Sequence, residues 1–450
     1  MKYAIFPPEE LIEDARVTLP LSKSMSTRAL ILDTLASGHF NPEANPVAWC
    51  DDTKVMASAL QQWDETAEGT PLRFDLKASG AALRFLTAFF ASRPGADVTL
   101  TGCERLCQRP MKPLVDALRQ CGASVEYLAE EGYAPLRIKG QELTGGTVTI
   151  DATVSSQFIS ALLMIAPTMK AGLDLHFEGE PVSLPYITMT LGLMAMRGVE
   201  AEREPLRVEV APGRYTPCLQ APEGDWSAAA FWYEVSALSA GWITMTNLKA
   251  DSLQGDKAAA RFFSCLGVET VESEEVEGAL DLTPSPEVYG RLDLDLTDNP
   301  DVAPALAVTC SLIGVPFKFT GLHNLAMKEC DRLGALAEEM NKLGRNVEKV
   351  RDFGLEWDGK SHPVREMQVL SAHGDHRMAM ALAPAAVYIP GIIIDGVETV
   401  SKSYPDYWEQ LRGIGFNVIE VVITEDGKVV RADAVPTDTT DTADGKEGDE

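Results

Sequence analysis

The chain has 450 residues, 45% of them hydrophobic and 24% charged, which is the composition of a folded globular protein, and its length predicts two or three domains. Its 67 acidic and 39 basic residues give a net charge of −28, which disfavours nucleic acid and anionic membranes as partners. There is no signal sequence or transmembrane run, and the eight cysteines are irregularly spaced, so we expect a cytoplasmic protein with free thiols.

One local pattern recurs along the chain: an amphipathic, helix-like run ends in glycine, and a β-branched residue then leads into a strand. The glycines lie 69 to 77 residues apart and are Gly122, Gly198, Gly267, Gly344 and Gly415. Glycine at this place adopts the left-handed conformation that ends a helix. With a weaker first copy at residues 54–63, the spacing predicts six repeated α/β units. The alternative is that such junctions are common in any α/β protein.

A second class of helix-like runs is almost entirely apolar. It comprises residues 28–38, 83–91, 157–167 and 303–315. Helices that are apolar on all sides are buried, so we expect each lobe to hold such helices between β-sheets. From about Arg431 the sequence loses its apolar periodicity, and residues 431–450 are predicted to form a disordered acidic tail.

Basic residues are concentrated at predicted helix starts, namely at Lys23, Arg28, Arg105, Arg109, Lys328, Arg332, Arg377 and Lys402. Taken singly, each is explained as a solvated cation, and the serines beside some of them as helix caps. Together, in an acidic protein, they predict a cleft for anionic small molecules such as phosphorylated carboxylates. The DHR segment and the pair Cys103 and Cys107 lack further metal ligands, and no nucleotide-binding glycine loop is present.

Ten ordered segments resemble the EPSP synthase family, the 3-phosphoshikimate 1-carboxyvinyltransferases. They include SKSMSTRALILDTLASG, VSSQFISALLM, NPDVAPALAV, KECDRL and DHRMAMA, and the resemblance extends to about residue 425. It implies a two-lobed, inverse α/β barrel-like fold of six βαβαββ-type units, with the site between the lobes. Residues 21–222 would form the N-terminal lobe, and residues 1–20 with 223–430 the C-terminal lobe, with crossovers near Pro20 and Glu223.

The resemblance also implies a reaction. Members transfer the enolpyruvyl group of phosphoenolpyruvate to the 5-hydroxyl of shikimate 3-phosphate and release phosphate, as part of aromatic amino acid biosynthesis. This needs no metal and no cofactor, and we expect a monomer whose partners are these two small molecules.

Matching motif positions give the site residues that the resemblance implies. Shikimate 3-phosphate would be bound by Lys23, Ser24, Arg28, Ser155, Ser156, Gln157, Ser183, Tyr186, Asp301, Asn324 and Lys328. Phosphoenolpyruvate would be bound by Lys23, Gly80, Arg109, Gln157, Arg332, Arg377 and Lys402. The expected catalytic residues are Lys23, Asp301 and Glu329, and which of them carries each proton stays open from the sequence.

Several positions depart from the family pattern, namely Leu21, Thr27, Ala78, Ala81 and Ala326. The changes bear on affinity more than on reaction type, since the charged residues are retained. Three alternatives stay open: a UDP-N-acetylglucosamine enolpyruvyl transferase, an RNA cyclase relative and a non-catalytic binding protein. The SKS and VSSQF segments disfavour the first, the acidic surface the second, and the retained Asp301 and Glu329 the third.

Overall fold

The computed structural model describes residues 1–41, 43, 47–351, 353–364 and 368–434. Its strands up to residue 222 are β1 (Lys2–Phe6), β2 (Ala15–Thr18), β3 (Pro71–Asp75), β4 (Asp97–Thr101), β5 (Ser124–Tyr127), β6 (Leu136–Lys139), β7 (Gly146–Asp151), β8 (Leu173–Glu178), β9 (Glu202–Glu204) and β10 (Arg207–Val210). The helices of the same part are α1 (Lys23–Ser37), α2 (Asp51–Asp64), α3 (Gly80–Ala91), α4 (Glu104–Cys107), α5 (Lys112–Gln120), α6 (Ser156–Ile165) and α7 (Leu184–Ala195).

The second half contains a similar alternation of helices and strands. Its helices are α8 (Trp226–Ser239), α9 (Ala259–Ser264), α10 (Ala303–Ile313), α11 (Arg332–Lys342), α12 (His376–Leu382) and α13 (Tyr407–Gly413). Its strands are β11 (Ile243–Thr246), β12 (Leu266–Glu272), β13 (Leu280–Val288), β14 (Leu292–Asp295), β15 (Phe317–Thr320), β16 (Glu348–Val350), β17 (Gly354–Trp357), β18 (Val369–Ser371), β19 (Ile392–Asp395), β20 (Asn417–Ile423) and β21 (Val429–Arg431).

The strands of the described residues form sheets that share one plan. The strand orders are β3-β4-β6-β5, β7-β8-β10-β9, β12-β13-β11-β2, β14-β15-β17-β16 and β18-β19-β1-β20-β21. In the first of these sheets β3 and β4 are parallel, which requires a crossover, and α3 supplies it. Helix α5 then leads into the antiparallel strands β5 and β6. The same order recurs in the sheets of β7–β10 and β14–β17, which confirms the predicted α/β fold of βαβαββ-type units.

The first of the six predicted repeats differs from the others. Helices α1 and α2 belong to it, but strand β3, which follows α2 after residues 65–70, pairs within the next unit. Residues 38–50, between the two helices, contain no strand in their described part. The described chain therefore has five sheets for the six predicted repeats.

Buried hydrophobic residues form two large clusters, one drawn from residues 25–215 and the other from residues 5–19 and 226–418. Strand β1 reaches the second cluster by pairing with β19 and β20, and β2 does so by pairing with β11. This division follows the predicted one, 21–222 against 1–20 with 223–430, and we propose that each cluster is the core of one lobe.

The chain passes between the two clusters at two adjacent places. The amide of Ser22 donates to the carbonyl of Glu223 at 2.7 Å, and the amide of Asp225 donates to the carbonyl of Pro20 at 2.9 Å. Leu21 and Gly224 form an isolated antiparallel bridge between these hydrogen bonds. The two passages thus run side by side, near the positions that the resemblance implies.

The structure confirms two predictions from local sequence, the left-handed glycines at helix ends and the burial of apolar helices. The five repeat glycines have φ angles between 74° and 102°, which is the left-handed region. The predicted apolar helices α3, α6 and α10 are buried along almost their whole length. Helix α8 belongs to the same buried class and was not predicted.

The described chain continues into the predicted tail. Arg431 ends β21, and a 3₁₀ turn covers Ala432–Ala434. The rest of that prediction, residues 435–450, lies outside the described residues. Among the helices of the described ranges, none combines the length and the apolar character needed to cross a membrane.

Candidate active site

A cavity lies between the two clusters and is lined by residues of both. The predicted site residues that line it are Lys23, Ser24, Arg28, Gly80, Arg109, Ser155, Ser156, Gln157, Ser183, Tyr186, Asp301, Asn324, Lys328, Glu329, Arg332 and Arg377. Lys402 does not line the cavity: its ammonium lies behind Glu329, 2.8 Å from Oε1, and donates to the carbonyl of Ala78 at 2.9 Å.

Helix N-termini converge on this cavity. Helix α1 begins at Lys23, α3 at Gly80 and α6 at Ser156, and a serine side chain caps each of them by accepting a backbone N–H. Unpaired amides and the helix dipole make such termini favourable for anions. The short apolar helices therefore present positive ends to the space between the lobes.

Ser183 precedes α7 in a conformation that is unusual for serine. Its φ is 54° and its hydroxyl caps no amide of the helix. The amide nitrogen of Asn324, which comes from the other cluster, lies 3.4 Å from this hydroxyl. The Ser183 side chain is thus held at the cavity wall instead of being used for capping.

Arg28 lies beneath the cavity wall, held by hydrogen bonds to Thr190, Ser160 and the Ser24 carbonyl at 2.7, 3.1 and 2.8 Å. Its guanidinium also lies over the ring of Phe85. Burial lowers the pKa of Arg28 to about 10, which still leaves it charged at neutral pH. It therefore supplies positive potential from a fixed position.

Arg332 stands at the centre of three carboxylates. Its Nη1 lies 2.8 Å from Asp301, its Nη2 2.8 Å from Glu329 and its Nε 2.6 Å from Asp375. Asp301 also receives Arg377 Nη2 at 3.0 Å, with Lys328 Nζ at 3.8 Å. Cations and carboxylates alternate across this side of the site.

The pKa values of the two predicted acid–base carboxylates reflect these partners. Burial alone would raise both, but Arg377, Lys328 and Arg332 outweigh it and hold the pKa of Asp301 well below its usual range. Lys402, Arg332 and Arg109 do the same for the pKa of Glu329. Both side chains are ionised at neutral pH in this arrangement.

A further buried carboxyl lies next to Asp301. The hydroxyl of Tyr186 lies 3.3 Å from Asp301 Oδ2 and 3.5 Å from Asp256 Oδ2. Burial, and then the negative charge of Asp301, raises the pKa of Asp256 to about 6. Asp256 lies in the segment LQGD, which also resembles the family, but the sequence alone gives no reason to place it beside Asp301.

Other cavity residues were also not predicted as site residues. Asp52 lies 3.3 Å from Lys23 Nζ, and Arg84 donates to the carbonyls of Gly80 and Pro110 at 3.1 and 3.3 Å. His376 is buried, and neither ring nitrogen has a hydrogen-bond partner among the described residues. Burial, followed by Lys23 and Arg377, holds the pKa of His376 well below its usual value. Asp52 lies in the segment DDTKVM and His376 in DHRMAMA, and both segments resemble the family.

Arg105, unlike most of the predicted cations, does not line the cavity. Its Nε donates to the carbonyl of Lys328 at 3.1 Å and its Nη2 to the carbonyl of Ala326 at 3.0 Å. The expectation that it helps to hold an anion in the cleft is therefore wrong. Its guanidinium is occupied by main-chain oxygens of the opposite cluster.

Within the described part of the chain, one compact group of possible metal ligands, Glu338, Glu339 and His373, lies outside the cavity. The ammonium of Lys342 lies 2.9 Å from both oxygens of Glu339 and 3.2 Å from Glu338. A lysine thus takes the place that a metal would need, so this group is an ion-pair cluster.

Comparison with known proteins settles the family. A family model described as EPSP synthase (3-phosphoshikimate 1-carboxyvinyltransferase) matches residues 12–411. The chain belongs to the EPSP synthase family. It has EPSP synthase activity and is an enzyme of the shikimate pathway, which removes the three alternatives that the sequence left open.

Individual relatives agree with this assignment. The 3-phosphoshikimate 1-carboxyvinyltransferase of Bacteroides fragilis is 45% identical over 420 residues, covering 93% of this chain and 99% of its own length. That of Methanospirillum hungatei is 33% identical over 89% of this chain and 96% of its own. The solved EPSP synthase of Acinetobacter baumannii has a TM-score of 0.72 at 20% identity, covering 93% of this chain and all of that one, and so shares the fold.

Proposed function

We propose that the cavity binds shikimate 3-phosphate and phosphoenolpyruvate side by side and that Asp301 and Glu329 move the protons of enolpyruvyl transfer. The observation that carries this proposal is the pair of ionised carboxylates on either side of one arginine, each 2.8 Å from Arg332. Such a pair can serve as base and acid on two neighbouring molecules.

The phosphate of shikimate 3-phosphate binds where α6 and α7 begin. Ser155, Ser156 and Ser183 line this part of the cavity, and the helix N-termini favour the anion. Lys328 adds a cation, and Asn324 binds a ring hydroxyl. The ring of shikimate lies against Gln157 and Tyr186, so its 5-hydroxyl faces Asp301.

The carboxylate and phosphate of phosphoenolpyruvate bind the remaining cations of the cavity, Arg109, Arg332 and Arg377. They reach Lys402 once Glu329, which covers its ammonium, moves aside. Without phosphoenolpyruvate, Asp301 forms ion pairs with Arg332 and Arg377. Glu329 forms ion pairs with Arg332 and Lys402. A dianionic substrate therefore competes with the protein's own carboxylates for Arg332 and Lys402. Through this competition, substrate binding changes the ion pairs, and with them the protonation, of the acid–base carboxylates.

The chemistry follows from that change. Asp301 takes the proton of the 5-hydroxyl as its oxygen forms a bond to C2 of phosphoenolpyruvate. Once its cations hold the substrate, Glu329 loses the partners that keep it ionised, takes up a proton from solvent and delivers that proton to the methylene carbon. Glu329 then takes a proton back from the new methyl group while the C2–O bond to phosphate breaks, and Asp301 returns its proton to the departing phosphate.

Lys23 acts with this pair. Its ammonium lies in the cavity 3.3 Å from Asp52, within the first turn of α1. A cation fixed there stabilises the negative charge that remains on the phosphate of the tetrahedral adduct. Gly80 leaves room for phosphoenolpyruvate next to Arg109 and Arg84.

The test measures phosphate release and solvent deuterium incorporation together. Wild-type enzyme should release phosphate only with both substrates, and not with UDP-N-acetylglucosamine as the acceptor, and product formed in D₂O should carry deuterium in its methylene group. Glu329→Gln should lose turnover and deuterium incorporation, whereas Glu338→Gln, an exposed carboxylate outside the cavity, should not. Normal deuterium incorporation by Glu329→Gln would assign the acid to another residue.

A further inference from the structure

Arg105 joins the two clusters at one edge of the cavity through main-chain contacts alone. Its guanidinium makes the two hydrogen bonds to the carbonyls of Lys328 and Ala326, more than 220 residues away in sequence. Charged donors make shorter and stronger hydrogen bonds than neutral ones, and two parallel bonds also fix orientation. No carboxylate among the described residues forms an ion pair with Arg105, so its charge is directed at these oxygens.

The side that donates is rigidly attached to its own cluster. Arg105 belongs to the short helix α4, whose Leu106 is 1% exposed. The amide of Cys103 donates to the carbonyl of Lys77 at 2.8 Å. A Cβ at Gly102 would lie 2.5 Å from Leu106 Cδ2 and 2.6 Å from the Lys77 carbonyl, so the segment fits closely against its neighbours. The guanidinium is therefore presented from a fixed base.

The side that accepts is short and irregular. A 3₁₀ turn, His323–Met327, ends at Lys328, whose backbone is extended with φ −83° and ψ −154°. The amide of Lys328 lies 3.5 Å from the carbonyl of Leu325, which is a long hydrogen bond. This segment gains little order from its own backbone, so contacts from outside decide its position.

The accepting segment carries the residues that the proposed reaction needs. Lys328 and Glu329 follow the turn directly, and Met327, between the two accepting residues, lines the cavity. We propose that Arg105 is a positioning residue that fixes the main chain of residues 326–328 from across the cleft and thereby holds Lys328 and Glu329 in place. The inference rests on the proposed role of Glu329 and deepens it.

Recognition through carbonyl oxygens also accommodates a departure from the family pattern. Position 326 holds alanine where the resemblance leads one to expect arginine, yet the Arg105 hydrogen bond uses the carbonyl and needs no particular side chain. Since catalytic efficiency depends steeply on placement, loosening this segment should lower turnover even though Arg105 does not touch either substrate.

The test combines kinetics with hydrogen exchange. Arg105→Gln should lower kcat about 10- to 100-fold, the scale for a misplaced catalytic group. The ratio kcat/KM for phosphoenolpyruvate should fall by the same factor, because an interaction needed in the transition state has been weakened. Arg105→Lys keeps one charged donor and should recover part of the loss, and it also provides a second variant if the first folds poorly.

The control is Arg119→Gln, which removes a guanidinium that donates to the carbonyl of Val125 within one cluster and lies outside the cavity. It should leave kcat unchanged. Hydrogen–deuterium exchange with saturating shikimate 3-phosphate and no phosphoenolpyruvate, where no turnover occurs, should quicken in residues 323–330 of Arg105→Gln and remain unchanged in β5–β8. This arm does not depend on the reaction, so its failure is separate from failure of the proposed function. Wild-type kcat in Arg105→Gln, or faster exchange spread evenly over both clusters, would overturn the proposal.

Discussion

The carboxylate of Asp301 is surrounded by three cations, and replacing it therefore tests chemistry and electrostatics together. We expect Asp301→Asn to lower kcat at least about 100-fold, the usual scale for a lost general base. The KM for phosphoenolpyruvate should not rise, because Arg377 and Arg332 lose a competing carboxylate and remain free for the substrate. Steady-state kinetics with both substrates varied measures both constants.

Asp295→Asn is the matched control, since Asp295 only accepts from Thr297 in a turn outside the cavity. Asp301 caps no helix with its side chain, so a lost cap would not explain a loss of activity. If Asp301→Asn kept its kcat and lost only thermal stability, the residue would have a structural role.

Gly80 lies where α3 meets two arginines, and any side chain there would displace one of them. A Cβ at this position would lie 2.4 Å from Arg109 Nη1 and 2.8 Å from Arg84 Nη1. Arg84 is held by two carbonyls, so Arg109 is the group that moves. We expect Gly80→Ala to raise the KM for phosphoenolpyruvate by the equivalent of about 1–3 kcal/mol, the usual cost of overpacking a fitted site.

Gly213→Ala provides the comparison, because nothing lies within 4 Å of a Cβ at Gly213. The KM for shikimate 3-phosphate should change little in either variant. An equal rise in both Michaelis constants for Gly80→Ala would mean that the whole cavity had shifted and not Arg109 alone.

Helix α8 carries an unpaired acid in the middle of the second cluster. Glu234 is fully buried, and neither carboxylate oxygen has a hydrogen-bond partner among the described residues. Burial raises the pKa of Glu234 well above its usual value. Because the folded state then binds the proton more tightly than the unfolded state, the contribution of Glu234 to stability is fully present below pH 4.5, the ordinary glutamate pKa, and is lost as pH rises toward the folded pKa.

We therefore expect Glu234→Gln to gain stability over the wild type as pH rises, by up to about 1.4 kcal/mol per pH unit within that window. Urea unfolding at several pH values between 5 and 8 (an interval chosen to span about that window) measures the difference. Glu130→Gln, at an exposed turn, should show no such trend. A constant difference between Glu234→Gln and the wild type would mean that the carboxyl does not titrate on unfolding.

The repeated unit could be predicted from the sequence because its signals are local. A glycine such as Gly122 ends a helix through its own backbone, and the apolar run of α6 reports its own burial. The sequence does not predict that the first repeat lacks a sheet of its own. The run in α2 resembles the helix of a full unit, but the strands of that unit are absent from the described residues around it. Helix α8 was missed because Glu234 interrupts its apolar run.

The same limit applies to the site: local sequence signals could be predicted, but contacts between distant segments could not. Residues in charged motifs, such as Lys23 and Arg332, were predicted, and they do line the cavity. The proximity of Asp256 to Asp301 depends on how Tyr186 packs between them, which no local pattern encodes. The use of Arg105 was predicted wrongly because the sequence marks a cation but not the oxygen atoms that it meets.

At the scale of the whole molecule, cations from both clusters face one cavity in a strongly acidic protein. Lys23 and Arg109 approach from one side and Lys328 and Arg332 from the other, so an anion that binds between them contacts both faces. We expect saturating shikimate 3-phosphate to lower the radius of gyration, because the ligand bridges the two faces. Small-angle X-ray scattering with and without the ligand measures this change.

Inorganic phosphate at the same concentration serves as the control, since it should fill only the serine-lined end of the cavity. The forward scattering of the same samples gives the molecular mass and so tests the predicted monomer. An unchanged radius of gyration with bound shikimate 3-phosphate would mean that the two clusters keep one arrangement throughout the reaction.

The position of β1 inside the last sheet has a consequence for how the protein is made. Strand β1 lies between β19 and β20, and Tyr3 pairs with Ile394 on one side and Glu420 on the other. The ribosome therefore produces β1 long before its two neighbours emerge. Residues 25–215 form their own cluster and can fold meanwhile, since domains fold as units during translation. Strand β1 thus stays unpaired until β19 and β20 have been made, long after its own synthesis.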